Sequence, residues 1–292
     1  MAIDKLQEKI RKMKNPSMVD FSVDLSVIPP HILEQEGSSV FAYELFSRTL
    51  LDALKETVPA VRFCLSQFAL LGTEGLPLLQ RLTACAKEYG YYVLLDGPDA
   101  LSPQSAELAA QTLFGESCPY FFDGIVLSSY LGSDVLKPYV KRIKASNKDV
   151  FVILRTANKS AAELQDLLTG SRLVHMAAAD VVNRLAEPLV GRSGYSQVAA
   201  IGPASVADIL KKLRARYQHL FLLLDGYDYS NANAKNCSYA FDKLGHGAIA
   251  CAGRGILAAW DTDDSDGTHY VAQAVEAAER MKKNLLRYIT VL

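Results

Sequence analysis

The chain has 292 residues, of which 50% are hydrophobic and 22% charged, and its formal net charge is −1 at pH 7. This composition is typical of a folded globular protein with a substantial core, and it argues against intrinsic disorder. Because Lys and Arg are not in excess, bulk electrostatics give no basis for binding nucleic acid or an anionic membrane.

The cysteines and the N-terminal segment indicate the cellular compartment. The five cysteines include no C-x-x-C pair and are too few for a disulfide scaffold in a chain of this length. Residues 1–14 alternate charged residues with apolar residues at helical spacing, which is unlike a signal peptide. No apolar run is long enough to cross a bilayer. We therefore expect a cytoplasmic protein without membrane or nucleic-acid partners.

Eight short runs rich in Val, Ile, Leu and Phe lack strict alternation, as is typical of parallel strands covered on both faces. In chain order, the predicted strands are 18–23, 60–65, 91–95, 121–127, 149–154, 197–201, 219–224 and 247–251. The segments between them have apolar residues at helical spacing. Clear helices are predicted over 76–89, over 206–217 with Ser205 as N-cap, and over 271–289 as the closing helix.

This alternation of strands and helices, without a linker or a change of composition, predicts one closed (β/α)8 TIM barrel over residues 1–292. An open doubly wound sheet is the alternative. It is disfavoured because no strand is followed by G-x-G-x-x-G or G-x-x-x-x-G-K, the phosphate loops common in open sheets.

In a (β/α)8 barrel, chemistry occurs at the carboxyl-terminal ends of the strands. The polar residues at these predicted ends are the candidates for a functional site. They are Ser22 and Asp24, Arg62, Asp96 and Asp99, and the segments 128–134, 155–158, 225–229 and 253–256.

Taken in order, these strand ends resemble the orotidine 5'-phosphate decarboxylase family, particularly its longer bacterial branch. The resemblance covers nearly the whole chain. It is carried by 130–134 (Tyr-Leu-Gly-Ser-Asp), 155–158 (Arg-Thr-Ala-Asn), 163–167 (Glu-Leu-Gln-Asp-Leu), 194–196 (Gly-Tyr-Ser), 225–227 (Asp-Gly-Tyr) and 253–256 (Gly-Arg-Gly-Ile). It implies a homodimer of pyrimidine biosynthesis that converts orotidine 5'-phosphate to uridine 5'-phosphate and carbon dioxide, without metal or organic cofactor.

The chain departs from the family at its central motif, Asp-Gly-Lys followed by a second Asp three residues after the Lys. The matching segment is Asp-Gly-Pro-Asp-Ala-Leu, with Pro98 at the catalytic lysine position and Leu101 at that of the second aspartate. Decarboxylation leaves electron density on a pyrimidine carbon and requires a nearby cation that also delivers a proton. Since a positioned proton donor contributes ~10²–10⁴-fold to a rate, its loss predicts a very poor decarboxylase.

Other family positions have changed as well. The aspartate after the first strand falls on Ser22, unless Asp20 or Asp24 replaces it through a change of register. The second-strand lysine becomes Arg62, a fixed charge that cannot serve as a tunable proton donor. The usual Asn-Pro after the fourth strand becomes Ser-Ser, and the Pro-Gly-Tyr-Gly-Ala-Gln loop after the seventh becomes Asp-Gly-Tyr-Asp-Tyr-Ser over 225–230.

The resemblance identifies Asp96 and Arg62 as remnants of the catalytic network. It gives Ser22, Ser133, Thr156, Tyr227, Gly253 and Arg254 as candidate ligand-binding residues, with Arg254 suited to phosphate. Structural alternatives remain open for several of them. Arg254 could instead pair with Asp225 or Asp228, Asp96 and Arg62 could form a simple ion pair, and Ser133 could cap a helix.

Three hypotheses for function follow. The first is a divergent, homodimeric pseudoenzyme that binds a phosphorylated, nucleotide-like molecule with little or no decarboxylation. The second is an active decarboxylase in which Arg62, Lys159 or Lys235 supplies the missing cation. The third is a different phosphate-ligand enzyme that uses Asp96, Asp99, Asp225 or Asp228, with or without a divalent cation.

Overall fold

The computed structural model describes residues 1–22, 24–97, 102–228, 231–262 and 265–292. Eight parallel strands form a closed barrel, in which β1 pairs with both β2 and β8. The barrel strands are β1 (Ser17–Asp20), β2 (Ala60–Cys64), β3 (Tyr92–Asp96), β4 (Gly124–Ser128), β5 (Asp149–Ile153), β6 (Val198–Pro203), β7 (Leu222–Asp225) and β8 (Ala248–Ala252). The predicted (β/α)8 barrel is confirmed.

Helices surround the barrel and connect its strands. They are α1 (Ala2–Met13), α2 (Pro30–Glu36), α3 (Ser39–Leu54), α4 (Leu65–Ala69), α5 (Gly75–Glu88), α6 (Pro103–Leu113), α7 (Ser133–Val140), α8 (Ile143–Ser146), α9 (Val174–Ala186), α10 (Ala207–Arg216), α11 (Ala234–Ser238), α12 (Arg254–Leu257) and α13 (Tyr270–Leu286). Short 3-10 turns occur at Leu25–Val27, Gly72–Glu74, Lys159–Glu163 and Glu187–Leu189. Leu168–Thr169 and Arg172–Leu173 form a separate antiparallel pair.

The barrel strands are buried because helices cover their outer faces and side chains fill the interior. All four residues of β1 and all five of β8 are buried. Helix α1 covers the end of the barrel where the strands begin, with Ile3, Leu6 and Ile10 inaccessible to solvent. The opposite end, where the strands finish, carries the polar residues and is called the mouth here.

Two predicted helix caps are wrong. Helix α10 begins at Ala207 with Val206 as N-cap, and Ser205 does not cap it. Helix α7 begins at Ser133 itself, after Gly132 at φ 79°, so Ser133 is the first helical residue and not the cap. The reason is that Gly132 adopts a positive φ and turns the chain into the helix one residue earlier.

Among the helices of the described residues, none combines the length and apolar character needed to span a membrane.

Candidate functional site

Arg62 lies at the mouth, in the middle of a group of carboxylates. Strands β1, β3 and β7 each end on an aspartate, and these aspartates surround the guanidinium. The Nη to carboxylate oxygen distances are 2.8 Å to Asp20, 3.6 Å to Asp96 and 3.1 Å to Asp225. We call Arg62 and these three aspartates the Arg62 cluster.

The Arg62 cluster is largely shielded from solvent, since the side chains of Arg62 and Asp20 are each 13% exposed. Burial lowers the pKa of the Arg62 guanidinium, but the neighbouring carboxylates, led by Asp20 and Asp96, outweigh burial and hold it well above its ordinary value. Arg62 is therefore a permanent cation that donates no proton, and its charge is already compensated inside the protein.

The structure brings together Arg62 and Asp96, as the sequence predicted, but at 3.6 Å their separation is the longest in the cluster. Asp20 and Asp225 lie closer. Asp20 was predicted only as a register alternative to Ser22. Asp20, and not Ser22, contacts Arg62, because Asp20 and Arg62 are directly opposite each other in the register of β1 and β2. Ser22 lies beyond the strand, where its backbone N–H donates to Asp20 Oδ1 at 2.8 Å.

A second carboxylate, Asp228, occupies the N-terminal end of α12. Its Oδ2 accepts a hydrogen bond from the N–H of Gly253 at 2.6 Å, and the N–H of Gly255 also bonds to it. A Cβ added at Gly255 would lie 2.6 Å from Asp228 Oδ1, so glycine permits this close approach. Burial raises the pKa of the Asp228 carboxyl, although these two N–H groups oppose the rise.

This location bears on phosphate binding, because barrels commonly hold phosphate in the last loops, at the N-terminus of a short helix. Here the N–H groups that would face such a phosphate already bond to an internal carboxylate. An incoming phosphate would have to displace Asp228 or meet its negative charge.

Arg254 does not pair with Asp225 or Asp228, so the pairing proposed from the sequence is wrong. Its Nη1 donates to Ser26 Oγ at 2.7 Å and lies 3.7 Å from Asp24, while Nη2 lies 3.2 Å from Asp261. The side chain is 49% exposed. Arg254 extends outward along the surface, whereas Asp228 turns inward to the backbone N–H of Gly253, so the two side chains do not meet.

The remaining candidate ligand residues lie at separate places around the barrel. Ser133 begins α7, and Thr156 follows β5, where its N–H donates to Gln165 Oε1 at 2.8 Å. Tyr227 lines a cavity of about 540 Å³ beside α11 and α13, together with Lys235. Burial raises the pKa of Tyr227 to about 12. Lys235 therefore lies beside the barrel in this cavity.

Sequence reasoning missed a buried polar group behind the β5 loop. Arg155 Nη2 lies 3.0 Å from Asp166 Oδ2, and His175 Nδ1 lies 3.1 Å from the other oxygen of Asp166. His175 is 1% exposed and Arg155 is 8% exposed. Arg155 and Asp166 both belong to motifs that carry the family resemblance, 155–158 and 163–167, but nothing in the sequence indicates that they pair or that His175 contacts Asp166.

Pro98, Asp99 and Leu101, on which the lost catalytic motif was predicted, lie outside the described residues. Within the described ranges, no group of three or more His, Cys, Asp or Glu side chains is arranged to hold a metal ion. In the Arg62 cluster, the guanidinium occupies the space between the carboxylates that a metal ion would need.

No family model matches the chain. It is 26% identical over 288 residues to the orotidine 5'-phosphate decarboxylase of Caldicellulosiruptor saccharolyticus, covering 92% of this chain and 94% of that protein. It is 27% identical over 289 residues to the protein of the same name from Clostridium kluyveri, covering 98% of each.

Solved structures show the same fold at lower identity. The orotidine 5'-monophosphate decarboxylase of Plasmodium berghei aligns with a TM-score of 0.80 at 13% identity, covering 99% of this chain and 98% of that one. The OMP decarboxylase of Leishmania donovani aligns with a TM-score of 0.69 at 22% identity, covering 97% and 99%.

Proposed function

Because the chain is a relative of the orotidine 5'-phosphate decarboxylases over nearly its whole length, we propose that residues 1–292 form one decarboxylase-like domain that has lost most or all decarboxylation activity. The observation that carries the proposal is the Arg62 cluster. Its cation is compensated by Asp20, Asp96 and Asp225, and it holds its proton permanently.

The chemistry supports this conclusion. Loss of carbon dioxide from orotidine 5'-phosphate leaves an electron pair on the pyrimidine ring, and a proton must then be delivered to that carbon. A lysine ammonium can supply both the charge and the proton. Arg62 supplies only charge, and Pro98 stands at the position where the resemblance expects the lysine. Losing the proton donor alone removes about 10²–10⁴-fold in rate.

The surroundings of Gly253 indicate that the family's phosphate position is also altered in this chain. The family's substrate carries a phosphate monoester, and Asp228 already accepts the Gly253 N–H that would face it. We propose that the protein binds a phosphorylated, nucleotide-like ligand whose phosphate lies away from the N-terminus of α12, since Asp228 occupies that position.

We also propose that the protein is a homodimer. The loops after β4 and β5 expose several large apolar side chains that a second copy could cover. Their exposed fractions are 75% for Tyr130, 46% for Leu131, 45% for Leu164, 50% for Leu167 and 73% for Leu168. Analytical ultracentrifugation tests this: a dimer that dissociates in Tyr130→Ser/Leu168→Ser supports it, and a monomeric unmodified protein contradicts it.

A cytoplasmic location is proposed as well, since all five cysteines are free.

The decisive experiment is a decarboxylation assay with purified protein and orotidine 5'-phosphate, using an active bacterial relative as positive control. We expect kcat at least about 10²-fold below the relative's. Turnover in the usual enzymatic range of about 1–10³ per second contradicts the proposal. If turnover occurs and is lost in Lys159→Gln but not in Lys235→Gln, the chain is an active decarboxylase with a replacement cation.

A further inference from the structure

We propose that the protein binds the phosphoryl group of a phosphate monoester in a cavity between the loop after β5 and the start of α10, away from the Gly253 position. This cavity, which we call the α10 cavity, measures about 610 Å³. Its size falls within the range of about 300–1,000 Å³ that is typical of small-molecule sites.

The α10 cavity lies on the mouth side of the barrel, because its lining comes from segments that follow strand ends. Arg155, Asn158 and Lys159 come from the loop after β5, and Ser205 comes from the loop after β6. Ala157, Val206 and Asn231 complete the lining. Barrels place ligands at this end, whereas the opposite end is closed by α1.

The charge of the lining favours an anion. Lys159 and Arg155 both line the cavity, and no Asp or Glu of the described residues does. Asp166 pairs with Arg155 through Nη2 at 3.0 Å, and Nη1 donates to the carbonyl of Thr156 at 2.9 Å, so the Arg155 charge is partly offset and Lys159 carries most of the attraction for an anion. Lys159 is solvent-exposed and forms no ion pair with the described residues. A flexible ammonium beside a fixed guanidinium suits a phosphoryl group, which offers several acceptor oxygens.

Two donors in the lining have no hydrogen-bond partner among the described residues. Arg155 is 8% exposed and its Nε is buried without a partner, and the Oγ of Ser205 is likewise buried and unpartnered. Burying a donor without a partner is unfavourable. Both atoms are inaccessible to solvent, so an anion in the cavity bonds to them only after their side chains rotate toward it.

The N-terminus of α10 adds a third source of attraction. The helix has ten residues, and its N-cap Val206 provides no side-chain acceptor for the first N–H groups. Such uncapped N–H groups attract anions. Asp208, the acid of this first turn, is 80% exposed and lies 3.4 Å from Lys211, so it faces solvent.

This site rests on the phosphorylated ligand of the proposed function, for which it gives a location, but it does not depend on the loss of decarboxylation. An active decarboxylase could also have this site, and an inactive one could lack it. The two claims are therefore tested separately, one by turnover and the other by binding.

Isothermal titration calorimetry with the full-length protein tests the inference, with uridine 5'-phosphate and inorganic phosphate as probes and uridine as the unphosphorylated control. We expect both phosphate probes to bind and uridine to bind at least tenfold more weakly than its monophosphate. Binding of inorganic phosphate alone would refute a monoester site. Binding of uridine as tight as that of its monophosphate would also refute it.

Variants locate the site. Lys159→Gln and Ser205→Ala should each weaken uridine 5'-phosphate binding, Lys159→Gln by about tenfold or more because it removes a charge-assisted hydrogen bond. Lys212→Gln is the matched control, since it removes an exposed lysine of α10 that does not line the cavity. Circular dichroism checks that each variant is folded. No binding by the unmodified protein, or equal binding by Lys159→Gln and the control, would overturn the proposal.

Discussion

Replacing Arg62 with leucine should destabilise the protein through charge and not through packing. The substitution leaves Asp20, Asp96 and Asp225 together at the mouth without their shared cation. Removing one partner of a buried ion pair typically costs about 3–5 kcal/mol. Since the three carboxylates are 13–32% exposed, water recovers part of this cost, and we expect a loss of about 3 kcal/mol.

Urea unfolding at neutral pH measures the effect, with Arg48→Leu as control. Arg48 pairs with Glu44 and is 45% exposed, so its loss should cost about 0–1 kcal/mol. Adding Asp20→Asn to Arg62→Leu should restore part of the stability, because it removes one of the three negative charges left at the mouth. A loss below about 1 kcal/mol in Arg62→Leu, or no recovery in the double variant, would refute this reasoning.

Three further substitutions give separate tests. Burial raises the pKa of the Asp149 carboxyl well above its ordinary value, despite opposing hydrogen bonds from Gln197 and Tyr92. The folded state therefore retains this proton more tightly than the unfolded state, and its stability falls as pH rises. Asp149→Asn is neutral at every pH. Its free energy of unfolding, measured with urea, should therefore rise relative to that of the unmodified protein as pH increases from about 4.5 to about 8. A difference between the two proteins that does not change with pH would contradict this. Asp228→Ala should expose the α12 N–H groups and create a second phosphate site by calorimetry, and an unchanged stoichiometry would count against the assigned role. Arg254→Ala should change stability by no more than about 1 kcal/mol and leave uridine 5'-phosphate affinity unchanged, since its ion pairs are exposed; a large loss of affinity would show that phosphate binds at α12 after all.

The barrel was predictable because strands covered on both faces have continuous apolar runs. All eight predicted runs contain an observed barrel strand or most of one. The largest error in a boundary is three residues: the fourth and seventh strands were predicted to begin at 121 and 219, but begin at Gly124 and Leu222. Apolar residues extend into these turns, so composition alone could not locate the strand starts. Phe121, for example, is 49% exposed.

The candidate site was only partly predictable, because its contacts join segments far apart in sequence. Arg62 and Asp96 were correctly predicted to be neighbours at the mouth, because the adjacent strands β2 and β3 end at the same side of the barrel. Strand order alone could not determine that Asp20 and not Ser22 lies level with Arg62, because that depends on the register. Nor could it show that Asp228 bonds to the backbone of Gly253, 25 residues away.

The loss of decarboxylation can be measured by product formation. Stoichiometric protein is incubated with orotidine 5'-phosphate, and uridine 5'-phosphate is quantified by chromatography against a protein-free sample. We predict product formation slower by at least about 10²-fold than that of an active relative under the same conditions, because Arg62 offers a compensated charge and no proton. Conversion at the relative's rate would show that the protein retains decarboxylation and that Arg62 and Pro98 do not abolish it.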